Sequence, residues 1–143
     1  MRIWVSARAD YAVRAVAELG AADGRLVKAR TIALSQHIPV RFLLTILRSL
    51  VVAGIVESHR GMDGGFRLAR PATEVSLGDV LRAVVDPPPE ASGSDPSSLE
   101  GIVGRLRSDA WRSLDEVRVA ELVPGRVALL DVSSYRSAPS ESR

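Results

Sequence analysis

Residues 31–70 constrain the fold more than any other part of the chain. A short helical pattern from Ala29 to Gln36 ends at His37-Ile38-Pro39, and a second helical pattern runs from Val40 to Ala53. Proline fixes its own φ and disfavours helix at the residue before it, so the two helices must meet at a sharp turn. Gly54 then provides a stop signal for the second helix.

Two short strand-like runs follow, residues 55–60 and 65–70, on either side of Gly61-Met62-Asp63-Gly64. A glycine-rich turn between short strands is typical of a β-hairpin. Upstream, residues 6–19 have the apolar spacing of an amphipathic helix, which we expect Gly20 to end. Helix, short helix, turn, helix and hairpin in this order predict a winged helix-turn-helix domain, mainly α with a small β-hairpin wing.

The remainder of the chain predicts two further helices. Ser76 and Asp79 form a capping-box pattern for a helix from Leu77 to Val85, and Ser97 and Glu100 form a second one for a long helix. The long helix has no obvious partner within the chain, so we expect its apolar stripe to pack against a second copy. The predicted dimerisation residues are Leu99, Ile102, Val103, Leu106, Ala110 and Leu114. The predicted domains are a DNA-binding domain at 1–85, a Pro/Ser/Gly linker at 86–98, a dimerisation helix region at 99–123 and a partly disordered tail at 124–143.

Arginine and lysine concentrate in the first half of the chain. Residues 1–70 contain 11 Arg or Lys and 5 Asp or Glu, whereas residues 71–143 contain 8 and 12, so the halves carry +6 and −4. A basic half joined to an acidic half suggests a polyanion-binding module attached to a part that does not contact the polyanion.

The residue inventory excludes several classes of protein. The chain has no cysteine and two histidines, which rules out disulfides, a thiolate-held metal and a thiol nucleophile. No phosphate-binding glycine loop precedes a helix and no carboxylate pair marks an apolar pocket, so we expect no enzyme, metal or cofactor. No cleavage-like segment and no run of about 18 apolar residues occur, so we expect a cytoplasmic protein without membrane contact.

The second helix of the helix-turn-helix supplies the candidate DNA contacts. At about 100° per residue, its buried stripe centres on Leu43, Leu47 and Leu50. This places Arg41, Thr45 and Arg48 on the outer face, where a helix in the major groove contacts base edges and phosphates.

The sequence resembles the Rrf2 family of bacterial transcription regulators over residues 1 to about 85. The matching motifs occur in family order: Tyr11-Ala12-Val13-Arg14, Ile32-Ala33, Phe42-Leu43, Gly54-Ile55-Val56, the wing signature Arg60 to Arg70, and Glu74 to Val84. The resemblance implies a homodimer that crosses its C-terminal helices and binds pseudo-palindromic double-stranded DNA, mostly as a repressor. It places Arg60 and Arg67 on the wing, where Gly61, Gly64 and Gly65 allow close approach to DNA.

The missing cysteines and Leu44 depart from the family pattern. Many members hold an iron–sulfur cluster with three cysteines in the segment that corresponds to residues 86–103, and this chain has no cysteine. Asp10 lies near the place where some members add a carboxylate ligand, but we interpret it as the ion-pair partner of Arg14 one turn away. Leu44 replaces a polar or acidic residue that helps several members to read their operator, so the operator sequence is not transferable.

The absence of cysteine leaves the regulatory input open. Any effector must be a small molecule, a protein partner or a change in the linker, or the chain has no effector. Trp4 and Trp111 are expected close together by the resemblance, either as packing anchors or as the lining of an effector pocket.

One alternative function stays open. A winged-helix module that has lost DNA binding and contacts proteins would be favoured by Leu44, Val51 and Val52 on or near the outer face. The arginines of the DNA-facing elements argue against it, because a protein-contact surface does not need so many cations; they are Arg41, Arg48, Arg60, Arg67 and Arg70.

Overall fold

The computed structural model describes residues 6–85, 95–122 and 124. In chain order the elements are α1 (Ala7–Ala21), α2 (Ala29–Gln36), α3 (Val40–Val52), β1 (Val56–His59), β2 (Gly65–Leu68), α4 (Leu77–Val84), α5 (Leu99–Glu116) and a 3₁₀ turn at Val119–Glu121. The predicted order of helices and hairpin is confirmed. Trp4, residues 86–94 of the predicted linker and residues 125–143 of the predicted tail lie outside the described residues.

Helix α1 is the central helix of the domain and is buried on nearly all sides. It packs against α2, α3, α4 and β2, and Ser6 caps it by accepting a hydrogen bond from the backbone N–H of Ala9 at 3.2 Å. In the helical pattern of residues 6–19, Asp10 falls on the polar face opposite the apolar one, and such a face is expected to be exposed. Asp10 is instead only 2% exposed, because helices pack against both faces of α1. The expected ion pair between Asp10 and Arg14 is confirmed.

The end of α1 also differs from the prediction. Gly20 lies inside the helix and close to Val119. A Cβ atom at Gly20 would lie only 3.1 Å from a Val119 methyl group. The chain turns instead at Asp23 and Gly24, which both have positive φ, 50° and 82°. Gly20 is therefore a packing position and not the helix stop.

The helix-turn-helix forms as predicted. His37 ends α2 in the left-handed conformation, with φ 54° and ψ 45°, and Pro39 precedes the first turn of α3. The buried stripe of α3 packs into the main core and consists of Leu43, Ile46, Leu47 and Leu50, each 0% exposed. Gly54, at φ 75°, follows the helix in the conformation that favours glycine.

The wing is a two-stranded antiparallel hairpin in which Val56 pairs with Leu68 and His59 with Gly65. A third segment joins it, because Val27 and Phe66 exchange two backbone hydrogen bonds of 2.8 Å. The hairpin is therefore held against the segment that precedes α2, which fixes the wing relative to the helix-turn-helix.

Helix α4 begins at the predicted capping box. The hydroxyl of Ser76 accepts from the Asp79 N–H at 3.0 Å, and the Asp79 carboxylate accepts from the Ser76 N–H at 3.2 Å. The second predicted box was wrong: Ser98 caps α5 by accepting from the Gly101 N–H, whereas Ser97 bonds to Asp95.

The C-terminal half of α5 packs on α4, and the chain after it returns to the domain. Trp111, Leu114 and Val117 contact a small second core of Ala9, Val13, Leu77 and Leu81. The returning backbone pairs with residues 72–77, with Leu77 N–H donating to Val117 at 2.8 Å and Val119 N–H donating to Val75 at 2.9 Å. Half of the long helix therefore has an intramolecular partner that the sequence pattern did not indicate.

Candidate nucleic-acid interface

The outward face of α3 carries the predicted contact residues. Arg41, Thr45 and Arg48 are all exposed, opposite the buried leucines. Within residues 6–85, 95–122 and 124, neither Arg41 nor Arg48 forms an ion pair. Both guanidinium groups are therefore available to base edges or phosphates, which are the usual partners of arginine in DNA complexes.

The hydroxyl groups of α3 are already engaged by the protein. Thr45 Oγ1 donates to the carbonyl of Phe42 at 2.7 Å, and Ser49 Oγ donates to the carbonyl of Thr45 at 3.2 Å. Ser49 Oγ also accepts from Arg8 at 2.6 Å. Thr45 is exposed as predicted, but its hydroxyl proton is donated to a backbone carbonyl of α3.

Arg8 is a site residue that the sequence did not reveal. It donates to Ser49 on α3 and, through Nε, to the carbonyl of Val84 at the end of α4, at 2.9 Å. The Arg8 side chain of α1 therefore connects α3 to α4. Its partners lie 41 and 76 residues away in the chain, so no local pattern could have shown this role.

The two predicted arginines of the wing differ in their surroundings. Arg60 is exposed at the start of the hairpin turn, and it makes no ion pair within the described part of the chain. Arg67 instead pairs with Glu57 across the hairpin at 3.3 Å. Hydrogen bonds from His59 and Arg67 lower the pKa of Glu57 below its usual value, so Glu57 stays charged and partly neutralises Arg67 near pH 7. Arg60 is the wing's more available cation.

Two glycines of the wing lie where a side chain would collide with the backbone. A Cβ on Gly64 would lie 2.1 Å from the His59 carbonyl oxygen, and one on Gly65 would lie 2.7 Å from the Val27 carbonyl oxygen. Lys28 braces the same turn by donating from Nζ to the Met62 carbonyl at 2.6 Å. Lys28 was missed by sequence reasoning, because it lies 34 residues from the carbonyl that it contacts.

The predicted dimerisation stripe divides into two parts. The apolar residues in its N-terminal part are exposed to solvent, with exposed fractions of 78% for Leu99, 41% for Ile102, 36% for Val103 and 48% for Leu106. Ala110 is also exposed, whereas Leu114 packs against the second core of its own chain. An apolar face that no other described residue covers therefore extends over the first two turns of α5.

The predicted effector pocket can be described only around Trp111. The guanidinium of Arg82 stacks on this indole, 4.8 Å from the ring centroid, and also makes two hydrogen bonds of 2.6 and 2.8 Å to Asp115. A cavity of about 360 Å³ lies elsewhere, between the end of α1 and the wing, with Asp23, Glu57, Arg67 and Arg70 in its lining. Trp111 is thus occupied by packing in the described structure.

Comparison with known proteins identifies the family of this arrangement. The sequence profile of Rrf2, described as an iron-dependent transcriptional regulator, matches residues 5–125. The chain belongs to the Rrf2 family. The resemblance inferred from the wing and helix motifs is confirmed, and the description of the family agrees with the exclusion of an enzyme.

Individual relatives support this Rrf2 membership. A candidate HTH-type transcriptional regulator of Mycobacterium tuberculosis is 50% identical over 84 residues, which cover 58% of this chain and 52% of the relative. The chain thus spans about half the length of that relative. A candidate HTH-type transcriptional regulator of Synechocystis is 32% identical over 143 residues, 96% of this chain and 95% of its own.

A solved structure shows the same fold. IscR of T. potens superposes with a TM-score of 0.72 at 27% identity, over 82% of this chain and 84% of that protein. The predicted winged-helix fold is therefore confirmed. Of the helices in residues 6–85 and 95–122, none is long and apolar enough to cross a membrane.

The family description names iron, but the side chains of this Rrf2 chain that could ligate a metal do not form an iron site. Its 143 residues include no cysteine, so no thiolate can hold a cluster. Within the described ranges, no three His, Asp or Glu residues come close enough to share a metal ion. Asp10, the carboxylate near a ligand position of some members, is buried against Arg14. The described residues therefore provide no iron site.

Proposed function

We propose that the protein is a sequence-specific transcription regulator that binds a pseudo-palindromic operator as a homodimer and represses transcription. The observation that carries this proposal is the outer face of α3, where Arg41 and Arg48 are exposed and make no ion pair with another described residue. A cationic helix face beside a glycine-tipped wing matches the shape and charge of the DNA major groove and its flanking backbone.

The homodimer is supported by the exposed half of α5. Exposed leucine and isoleucine at this density mark an interaction surface, because isolated surface apolar residues are common but a contiguous stripe is not. The stripe lies on the helix that Rrf2 resemblance assigns to dimerisation, and Leu99, Ile102, Val103 and Leu106 are its exposed members. A symmetric dimer would present two copies of α3, which suits an operator with two related half-sites.

A protein-contact module is the second candidate, because the HTH surface also exposes apolar side chains. Leu34 is 72% exposed, Val52 84% and Met62 92%. Salt dependence separates the two functions. Binding through phosphate contacts weakens by orders of magnitude between about 50 and 200 mM salt, whereas an apolar protein contact changes little.

Selection of genomic DNA by the purified protein tests the proposal. Fragments of the source organism's DNA are captured at about 50 mM salt, sequenced and footprinted. We expect protected sites with two related half-sites and a steep loss of affinity with salt. Failure to enrich any DNA at this salt concentration would contradict DNA binding and favour the protein-contact module.

The repressor assignment has its own test. The footprinted promoter is transcribed in vitro with and without the protein, and the amount of transcript is measured. A fall in transcript is expected, because a dimer seated on a promoter excludes the polymerase. A rise would identify an activator and leave the DNA-binding proposal intact.

A further inference from the structure

Two apolar side chains lie on the exposed surface of α3 beside its arginines. Leu44 is 45% exposed and Val40, one turn before it, is 42% exposed. Arg41 lies three residues before Leu44 and Arg48 four residues after it, so both are neighbours of Leu44 on the helix surface. Val40 is the first residue of the helix, and Leu44 is the exposed apolar side chain between the two arginines, where contact with DNA would remove it from water.

The hydroxyl protons near Leu44 are already donated within the protein. The Thr45 hydroxyl proton is donated to Phe42, and the Ser49 hydroxyl both donates to Thr45 and accepts from Arg8. On this face of α3, the side-chain donors that make no hydrogen bond to another described residue are those of Arg41 and Arg48. The hydroxyl protons are therefore not available to a base, and Leu44 itself can contact a base only through its apolar side chain.

In the major groove, thymine is the one unmodified base that presents an apolar group, its 5-methyl. Cytosine presents an amino donor at the corresponding edge, and leucine would bury that donor without an acceptor. We propose that Leu44, supported by Val40, reads thymine through this methyl group, between the base pairs that Arg41 and Arg48 contact. This inference rests on the proposed function, because it needs α3 to enter the major groove.

Single replacement of thymine by deoxyuridine in the footprinted operator tests the inference, since it removes only the methyl group. For the wild-type protein, we expect about fourfold weaker binding at one or two positions in each half-site, the effect of one apolar carbon group withdrawn from water. For Leu44→Ala, the same replacements should have no effect. Because Leu44 is exposed, this variant should keep the thermal unfolding midpoint of the wild type.

Leu34→Ala is the matched control. It makes the same substitution at an exposed leucine on α2, 72% exposed, and should keep the fourfold uracil effect of the wild type. A uracil scan without any sensitive position in the wild type would overturn the thymine contact while DNA binding stands. A uracil effect that persists in Leu44→Ala would assign the methyl contact to another residue. Absence of any specific site for the wild type would overturn both this inference and the proposed function.

Discussion

Arg60→Ala is the most direct test of the wing. Arg60 is exposed, and in the described structure it makes no ion pair that its loss would break, so the substitution should leave the fold unchanged. Its effect should be a loss of phosphate neutralisation, similar for all DNA sequences, because a wing cation contacts the backbone and not the base edges.

The size of the effect is worked from the exposed arginines of α3 and of the hairpin turn. Arg41, Arg48 and Arg60 give about six cations in a dimer, so log K should fall with log salt at a slope of about −5. Arg60→Ala removes two of them, and the slope should become about −3.5. Between about 50 and 200 mM salt the wild type should then lose roughly a thousandfold in affinity and the variant roughly a hundredfold.

Fluorescence anisotropy with a labelled operator duplex, titrated at several salt concentrations, measures both slopes. Arg112→Ala is the matched control, because Arg112 is 74% exposed and lies on α5, where its pairing with Asp109 at 3.5 Å is a surface contact. Its slope should equal that of the wild type. An unchanged slope for Arg60→Ala, or an equal change for both variants, would remove the wing from the DNA contact.

Three further predictions address assembly and stability. Ile102→Asp should convert the dimer to a monomer in analytical ultracentrifugation, because it places a charge in the exposed stripe of α5; a dimer that persists would refute this interface. Asp10→Ala should lower the free energy of unfolding in urea by about 3 kcal/mol, because it leaves Arg14 without its buried partner, and a change within the error of the measurement would show that the pair is dispensable. Hydrogen bonds from Arg82 lower the pKa of Asp115 in the folded state, so Asp115 stabilises the fold above its unfolded pKa and loses this effect as the pH falls through the folded pKa. Asp115→Asn should therefore be less stable than wild type near pH 7, and the difference should shrink as the pH falls below the ordinary pKa of an aspartate; a difference that stays constant with pH would exclude the ion pair as the cause.

Local patterns predicted most of the elements of the domain because each depends on nearby residues. The limits of α2 follow from Pro39 and a short apolar period, and the capping box at Ser76 involves residues three apart. The outward position of Arg41 and Arg48 follows from helix geometry once the leucine stripe is known. The candidate contacts on α3 were thus accessible from the sequence.

The features that sequence reasoning missed depend on contacts between distant residues. Burial of Asp10 results from helices that cover α1 on both sides, and the role of Gly20 depends on a methyl group about a hundred residues later in the chain, Val119. Arg8 and Lys28 hold α3 and the wing through one serine hydroxyl and through backbone carbonyls, which any sequence provides. Such partners have no sequence signature.

The contacts that position α5 on the domain determine which parts of the chain can change without moving this helix. Its position is set by Trp111 and Leu114 against α4, by the Arg82–Asp115 pair and by the returning backbone that pairs with residues 72–77. None of these contacts involves residues 86–94. Substitutions in that stretch, including the gain or loss of cysteines, should therefore leave the position of α5 on the helix-turn-helix domain unchanged. Loss of thiolate ligands need not alter the surface of α3.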